Sequence, residues 1–592
     1  MNKPLKILII IFILMSDLMC VLDANAVNNL PIVNPVMDCG HLTSVNLSDK
    51  IGEKVSISSA IHLKTKKGMY CQIKATIAPS IGVEIVLPQN KWTQRYLQVG
   101  CGGLCGNINL SPANAGSCKP ATQGEFVVAA TDMGHSGGMM DASWAQDPQK
   151  RIDFAYRANH LTALLAKALI QTYYGHEQKF SYFMGCSDGG REALMEAQRF
   201  PDDFNGISAG APAAFFQFQN SFFHGWNVVA NQRADGSAIL LQDRLPILHR
   251  AVLKHCPSLS GVKDGLLENP YTCTFSPRWV NTCKPEQTDK SNCLTIEEIS
   301  VAEKLYNGAS DNEGNHFVTG GLPLGSELRW PVPASANGHS MSEMMVLPAL
   351  QSVLLQGNKK NISTMQDFKL NKQNFSAVSV LAPLYNAANT NLSDFMQHGG
   401  KLIIWHGLAD DSVSPSFSIA YYKGVEAYLG EKSTEKFLRL FLLPGVGHCG
   451  GGEGLDQVDL LTPLMAWTEQ HVPPNMLIVG KASVAEIKPS VPPQSTMANN
   501  DLDAKSHFHG VQRISSPVAT AMPKLKLTRP VYSYPYIARF NGNGSTEDPE
   551  NYVKVKSPEM KGLVIGKPAS NFIGPNNQKN YIVENNVLIV KP

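Results

Sequence analysis

Phe180-Ser181-Tyr182-Phe183-Met184, running into Gly185-Cys186-Ser187-Asp188-Gly189-Gly190-Arg191, is the stretch that decides the fold. The first five residues read as a short strand, and Arg191 to Arg199 reads as a helix. Upstream, Phe154, Ala158, Leu161, Leu165 and Leu169 recur at near-helical spacing, which predicts a helix over residues 152–170. Helix, strand, sharp turn and helix form a βαβ element, so the sheet is expected to be parallel and the fold class α/β.

The turn contains G-x-S-x-G between a strand and a helix, the arrangement called the nucleophile elbow of α/β-hydrolases. Glycines are needed because the turn is strained and backbones pass close together. The strain holds the Ser187 hydroxyl at the carboxyl end of the sheet, beside a helix N-terminus that favours negative charge. An ordinary glycine-rich turn can carry the same letters, so the motif needs partners.

A serine nucleophile requires a base, and the base an orienting acid, in the chain order Ser, acid, His for this fold. Lys401-Leu402-Ile403-Ile404-Trp405 is an apolar strand, followed by His406-Gly407-Leu408-Ala409-Asp410-Asp411. Phe437 to Leu443 is another, followed by Gly445-Val446-Gly447-His448-Cys449. Asp410 and His448 are the expected acid and base, with Asp411 competing for the acid's role. The spacing between them leaves room for one helix and one strand.

The 592 residues are 43% hydrophobic and 17% charged, an ordinary globular composition with net charge +2. That balance argues against electrostatic binding of nucleic acid. The twelve cysteines draw their meaning from the N-terminus. Lys3, Lys6, nine apolar residues from Ile7 to Met15 and Ala24-Asn25-Ala26 form an expected signal peptide, cleaved after Ala26. The apolar run is too short to span a bilayer comfortably. The mature chain is therefore expected to be secreted or periplasmic, without a membrane span, and its cysteines to form disulfides. No paired C-x-x-C zinc spacing is present. Eleven cysteines remain after cleavage, an odd number. Cys186 precedes the nucleophile and Cys449 follows the base; if Ser187 and His448 meet, these two can be bridged. The rival reading makes Cys186 itself the nucleophile.

Residues 68–100 contain two expected strands, at Tyr70–Ile73 and Val83–Leu87. Residues 213–386 lack the βαβ pattern and read as an inserted domain between two catalytic portions, 27–212 and 387–555. Residues 489–523 look like a linker or surface crossing, and residues 556–592 form a tail without a functional reading.

On these residues the chain resembles the tannase and feruloyl esterase family, secreted α/β-hydrolases that cleave esters of aromatic acids and that include the mono(hydroxyethyl) terephthalate hydrolase. The resemblance runs from Cys39 to about Val553. It rests on Tyr96 to Gly103, Thr131-Asp132-Met133-Gly134-His135, Asp153 to His160, Gly185 to Arg191, His406 to Pro415 and Gly447-His448-Cys449. It implies a serine ester hydrolase with Ser187, Asp410 and His448 as triad. It also implies an oxyanion hole from the backbone N–H of Asp188 and the Gly102-Gly103 loop, and a lid formed by the inserted domain. The implied substrate is a small aromatic-acid ester, with no organic cofactor.

The resemblance further implies the bridges Cys186–Cys449, Cys39–Cys71, Cys256–Cys273 and Cys283–Cys293. One more pair among Cys101, Cys105 and Cys118 stays open. The family's lid carries calcium in the loop that here reads Cys256 to Leu266, but Pro257 and Ser260 stand where aspartates are usual. Asp264 and the carbonyls of Val262 and Leu266 remain, so calcium is expected to be weak or absent. The family's last disulfide is missing, with Tyr532 and Lys554 near its two positions. Arg329 and Trp330 are candidates for pairing a substrate carboxylate and packing its ring. A serine peptidase or a non-catalytic binding protein on the same fold are the alternatives.

Overall fold

The computed structural model describes residues 29–311, 313–314, 316–357, 361–482 and 516–560, with the backbone of two further strands at Asn580–Glu584 and Val587–Lys591. The expected signal peptide and most of the expected linker lie outside the described residues, as does much of the tail.

The centre is a nine-stranded sheet: β1 (Val55–Thr65), β2 (Gly68–Ile77), β3 (Ile81–Pro88), β4 (Arg95–Val99), β5 (Val127–Thr131), β6 (Phe180–Cys186), β7 (Gly206–Gly210), β8 (Lys401–Gly407) and β9 (Leu438–Leu443). Their spatial order is β1-β2-β3-β5-β4-β6-β7-β8-β9. The first three strands pair antiparallel with one another, and β3 with β5; from β5 to β9 every pairing is parallel. The neighbours Tyr182 and Phe183 of β6 point to opposite faces, as strand periodicity requires. Phe183 joins Tyr96, Leu402 and Leu440 beneath the helices Ala158–Tyr174 and Asp188–Arg199. Tyr182 joins Leu97, Ile403 and Phe441 beneath the helix Leu461–Gln470. Both faces are covered, which is why these strands read as apolar runs rather than alternating ones.

One buried ion pair crosses from sheet to helix. Arg95 on β4 donates through Nε and Nη2 to Glu469 at 2.8 and 2.7 Å, and the Tyr182 hydroxyl adds a third bond to Glu469 at 2.7 Å. The fork geometry satisfies charges that would be costly to bury alone.

The chain between β7 and β8 is built of helices and loops, and among its described residues no strand exceeds an isolated bridge. Its two ends meet: the Ala387 N–H donates to the Ala214 carbonyl at 2.9 Å, and the Gln217 N–H to the Asn386 side chain at 3.0 Å. After β9 the chain adds β10 (Gln457–Val458), β11 (Met476–Ala482) and β12 (Leu525–Tyr532) as a small antiparallel sheet, then the hairpin β13 (Tyr536–Phe540) and β14 (Tyr552–Lys556). The five chain ends that matter chemically, those of β4, β6, β7, β8 and β9, all open to one edge of the sheet because the strands are parallel.

Candidate active site

Ser187 sits between β6 and the helix Asp188–Arg199 with φ 65° and ψ −119°, a conformation a side chain rarely adopts. The turn is held from several sides. The Ser187 N–H donates to Gly210 O at 2.9 Å, and the Ser187 carbonyl accepts from Arg191 at 3.0 Å and Ala213 at 3.1 Å. A Cβ at Gly185 would fall on the Gly189 carbonyl, and one at Gly189 would lie 2.8 Å from Cys101 O. The glycines thus let the turn fold on itself and let β4's end press against it.

The helix following Ser187 is fixed beneath by a buried arginine. Arg191 donates to both carboxylate oxygens of Asp188, at 2.6 and 3.0 Å, and to the carbonyls of Ala155 and Phe154 at 2.9 and 3.1 Å. The Asp188 side chain is thereby turned inward, while its N–H belongs to a helix first turn that has no intrahelical acceptor.

His448 Nε2 lies 2.8 Å from Ser187 Oγ, and His448 Nδ1 lies 2.8 Å from Asp410 Oδ2. Asp410 is fully buried. Its Oδ1 accepts the N–H groups of Ser412 and Val413 at 2.8 and 2.9 Å, and its Oδ2 also meets His406 Nε2 at 3.1 Å. His406 Nε2 also faces the Val413 carbonyl at 2.9 Å. Both partners accept only, so the proton is on Nε2, and Nδ1 accepts from the Ser418 hydroxyl at 2.7 Å. Four donors around Asp410 outweigh its burial, and His448 and His406 hold its carboxyl well below the usual range. Burial disfavours the charged imidazolium of His448, but Asp410 beside it raises its pKa above the ordinary value.

Asp411, the competing acid, is buried near His448, but His448 Nδ1 is bonded to Asp410. Its Oδ1 lies 3.5 Å from Arg329 Nε. Burial pushes its pKa up to about 7 despite that guanidinium. Arg329 is therefore occupied with the acid loop, and it does not line the cavity at Ser187. Trp330 is buried, donates to Ser326 Oγ at 2.9 Å and packs edge-on to Tyr306, so it is a core residue. Neither residue lines the cavity at Ser187.

The cysteines pair as Cys186–Cys449, Cys39–Cys71, Cys256–Cys273, Cys283–Cys293 and Cys101–Cys105. Among the described residues Cys118 is the free one, and burial pushes its thiol up to about 12. Cys186 has no thiol to offer as nucleophile. The Cys101–Cys105 bridge spans Gly102-Gly103 and closes that loop beside the elbow. Gly103 has φ 62°, and a Cβ there would strike Met139. The Leu104 N–H is already bonded to Met139 O at 2.7 Å.

A cavity of about 440 Å³ opens at Ser187, lined by Gly103, Leu104, Met139, Met140, Asp188, Phe216, Met344 and Met345 among others. Gly102 does not line it. Methionine is pliable and packs well on aromatic rings. Asp188 is the one ionic group of the lining, and Arg191 already neutralises it. A larger cavity of about 730 Å³, lined by Arg529, Tyr532, Tyr534 and Tyr552, lies elsewhere and contains none of the three residues above.

The residues expected to hold calcium do not fit a cation. Asp264 Oδ2 pairs with Arg529, its Oδ1 accepts from the Leu266 N–H at 3.1 Å, and the Val262 carbonyl accepts from Ser258 Oγ at 2.8 Å. Leu266 is itself buried. An arginine therefore stands where the cation would be needed. Among the described residues two other clusters could gather metal ligands. In one, Cys101, Cys105, Asp188 and Glu192, the sulfurs are tied in a disulfide; in the other, His160, Glu196 and Asp203, the Asp203 carboxylate is shared by His160 and Lys167.

His406, Glu192 and Asn159 were not singled out by sequence reasoning. Glu192 is buried one turn below the elbow, accepting from Asn159 Nδ2 at 2.9 Å, and burial pushes its pKa up to about 8. Asn159 in turn accepts from Gln98 at 2.8 Å. The signal was present in Tyr96 to Gly103 and Asp153 to His160, whose polar residues have no role until these segments are brought together.

A sequence model of the family described as tannase and feruloyl esterase matches residues 65–555. A probable feruloyl esterase from Arthroderma benhamiae is 30% identical over 428 residues, covering 69% of this chain and 78% of its own length. An uncharacterized esterase from Xanthomonas campestris is 29% identical over 540 residues, 83% and 85% of the two chains. A mono(2-hydroxyethyl) terephthalate hydrolase from Piscinibacter sakaiensis is 26% identical over 555 residues, again 83% and 85%. Among solved structures, an esterase from Aspergillus oryzae superposes with a TM-score of 0.70 at 22% identity, covering 87% of this chain and 99% of its own. At that identity the likeness speaks for the fold.

Proposed function

The chain belongs to the tannase and feruloyl esterase family and is a carboxylic ester hydrolase, and from that premise we propose that it cleaves esters of aromatic acids through an acyl-enzyme on Ser187. The observation that carries this reading is the unbroken chain of hydrogen bonds from Ser187 through His448 to Asp410.

The steps follow from that chain. Ser187 Oγ attacks the ester carbonyl as its proton passes to His448 Nε2. Asp410 keeps the proton of His448 on Nδ1 and stabilises the imidazolium that forms. The negative charge on the former carbonyl oxygen is met by the N–H groups of Asp188 and Gly103, preorganised by the helix terminus and by the Cys101–Cys105 bridge; losing one such donor typically costs about 10²–10³ in rate. Collapse breaks the bond to the alcohol, which leaves with the proton from His448. Water, deprotonated by His448, then attacks the acyl-enzyme and restores Ser187. No metal or organic cofactor enters these steps.

The inserted section, residues 213–386, acts as a lid that selects the acyl group, since Phe216, Met344 and Met345 supply one side of the cavity. Its wall is uncharged, with Gln219 and Asn220 as its polar groups, and suits an acyl ring without a carboxylate. Secretion or a periplasmic location is supported by five disulfides together with the N-terminal sequence. No helix among the described residues is long and apolar enough to cross a membrane.

The test is Ser187→Ala, purified and assayed on methyl ferulate and methyl gallate. A loss of at least about 10³-fold in kcat with the melting temperature unchanged is expected; turnover equal to the parent protein's would overturn the mechanism.

A further inference from the structure

Three loops meet behind His448, and one side chain touches all of them. Arg329 comes from the inserted section, in the short helical turn Glu327–Arg329. Its Nε forms an ion pair with Asp411 Oδ1 at 3.5 Å, and neither atom has a hydrogen-bond partner although both are buried. The same guanidinium lies against the loop that carries His448. A Cβ at Gly447 would lie 2.5 Å from Arg329 Nε, and one at Gly451 would lie 3.5 Å from its Nη1. Gly447 is the residue before His448, and Asp411 is the residue after Asp410.

We propose that Arg329 is a positioning residue for the base: by pairing with Asp411 while packing on Gly447 it fastens the acid loop to the histidine loop and keeps the second carboxylate from acting on His448. This rests on the reading of His448 as the base.

The need for such a residue is electrostatic. Asp410 and Asp411 are adjacent, and both carboxylates are buried. Two like charges in one low-dielectric site disfavour each other, and each strengthens a neighbouring imidazolium. A base that holds its proton too tightly is silent at neutral pH. A fixed cation beside Asp411 offsets part of its field at His448 and leaves Asp410 as the stronger partner. The groups facing His448 are Asp410 and Asp411 on the acid loop, Arg329 and His224 from the inserted section, and, through Asp410, His406 on β8. His224 is buried, and burial pushes its pKa down to about 3, so it carries no charge in the working range.

Asp411, with a pKa of about 7, is charged over the upper part of the limb, where its charge and that of Arg329 oppose each other at His448, so removing one alone must move the base. In Asp411→Asn the guanidinium is left uncompensated and disfavours the imidazolium, so the acid limb of kcat/KM against pH moves to lower pH, by about half a unit or more. Adding Arg329→Met to that variant removes the cation too, and the limb returns to the parent position. Arg329→Lys alone keeps the charge and the parent limb.

The experiment measures kcat/KM for p-nitrophenyl acetate from pH 4 to 9 in the full-length protein and these three variants, with melting curves to confirm folding. A limb that stays put or rises in Asp411→Asn overturns the proposal, as does a double variant that keeps the shifted limb. Should the double variant not fold, Arg329→Gln with Asp411→Asn replaces it under the same criterion. A failure of the base assignment itself is seen separately, as full activity in Ser187→Ala or His448→Ala.

Discussion

Cys186 and Cys449 are 263 residues apart in the chain and joined by a disulfide with 6.0 Å between their Cα atoms, so that each is the chain neighbour of one partner in the Ser187–His448 hydrogen bond. The bridge sets the separation of two loops that belong to different strands, β6 and β9.

Breaking it should therefore affect stability and catalysis together. Closing so long a loop restricts the unfolded chain by about 5 kcal/mol in the entropy model, of which real bridges deliver part. Cys186→Ala with Cys449→Ala should lose about 2–5 kcal/mol in denaturant unfolding and about tenfold or more in kcat, because the base is no longer held in register with the nucleophile. Cys283→Ala with Cys293→Ala, remote from Ser187, should lower stability without lowering kcat. Equal kcat losses in both double variants would remove the special role of the first bridge.

Activity should fall in acid as His448 takes up its proton. Asp410 raises the pKa of that imidazole, so the acid limb of kcat/KM should lie above the ordinary histidine value of about 6.5. For stability the signs differ. The depressed pKa of Asp410 contributes stability that is present above the ordinary carboxylate value and lost as pH falls through the folded one. The raised pKa of His448 contributes below about 6.5 and is lost as pH rises. Asp410→Asn should lower kcat by about 10⁴ and destabilise the protein more at pH 6 than at pH 3, read from urea midpoints at the two pH values.

Glu192 works in the opposite direction. Burial lifts its pKa to about 8, so the folded protein holds a proton there that the unfolded chain releases near pH 4.5. Stability from this group therefore declines as pH rises through that window. Glu192→Gln should match the parent's melting temperature at pH 4.5 and exceed it increasingly towards pH 9; a constant difference between the two would show that Glu192 is charged when folded.

The wall of the cavity at Ser187 predicts a charge preference. Met139, Met140, Met344 and Met345 can wrap a ring, but no cationic side chain lines the site to receive a carboxylate. Burying an unpaired carboxylate is costly. Methyl ferulate or methyl benzoate should be hydrolysed with kcat/KM at least about tenfold higher than monomethyl terephthalate, a gap corresponding to about 1.4 kcal/mol. Equal rates would require a cation that these walls do not contain.

Much of this was legible in the sequence where burial leaves one reading. β6, β8 and β9 are covered on both faces and appear as apolar runs, and the elbow is marked by glycines that sterics require. β1 was not seen because Val55–Thr65 is a half-exposed edge strand, with polar residues on both faces. β7 was not seen because Gly-Ile-Ser-Ala-Gly is small, and it is small because the Trp405 ring lies against Gly210. Ser187, Asp410 and His448 could be placed by their strand ends. Arg329 could be picked out but not assigned, since its partner Asp411 is 82 residues away. Glu192 and His406 were hidden for the same reason: a buried polar group is defined by what it meets, and these meet residues from other segments. The open pairing at Cys101, Cys105 and Cys118 closed once β4 placed the first two beside the elbow and Cys118 against Met465.

The hydrogen bond from Ala387 to Ala214 makes the entry and exit of residues 215–386 neighbours. To the sheet, that whole section is equivalent to a tight turn between β7 and β8. Its length and sequence can change without moving either strand, provided its ends return to the same spacing. On the proposed reading, Ser187, Asp410 and His448 are encoded outside this section, and one side of the cavity at Ser187 is encoded within it. A foreign insertion grafted at these two alanines would exchange that side of the cavity, and it would have to bring its own counterpart of Arg329 to keep Asp411 paired.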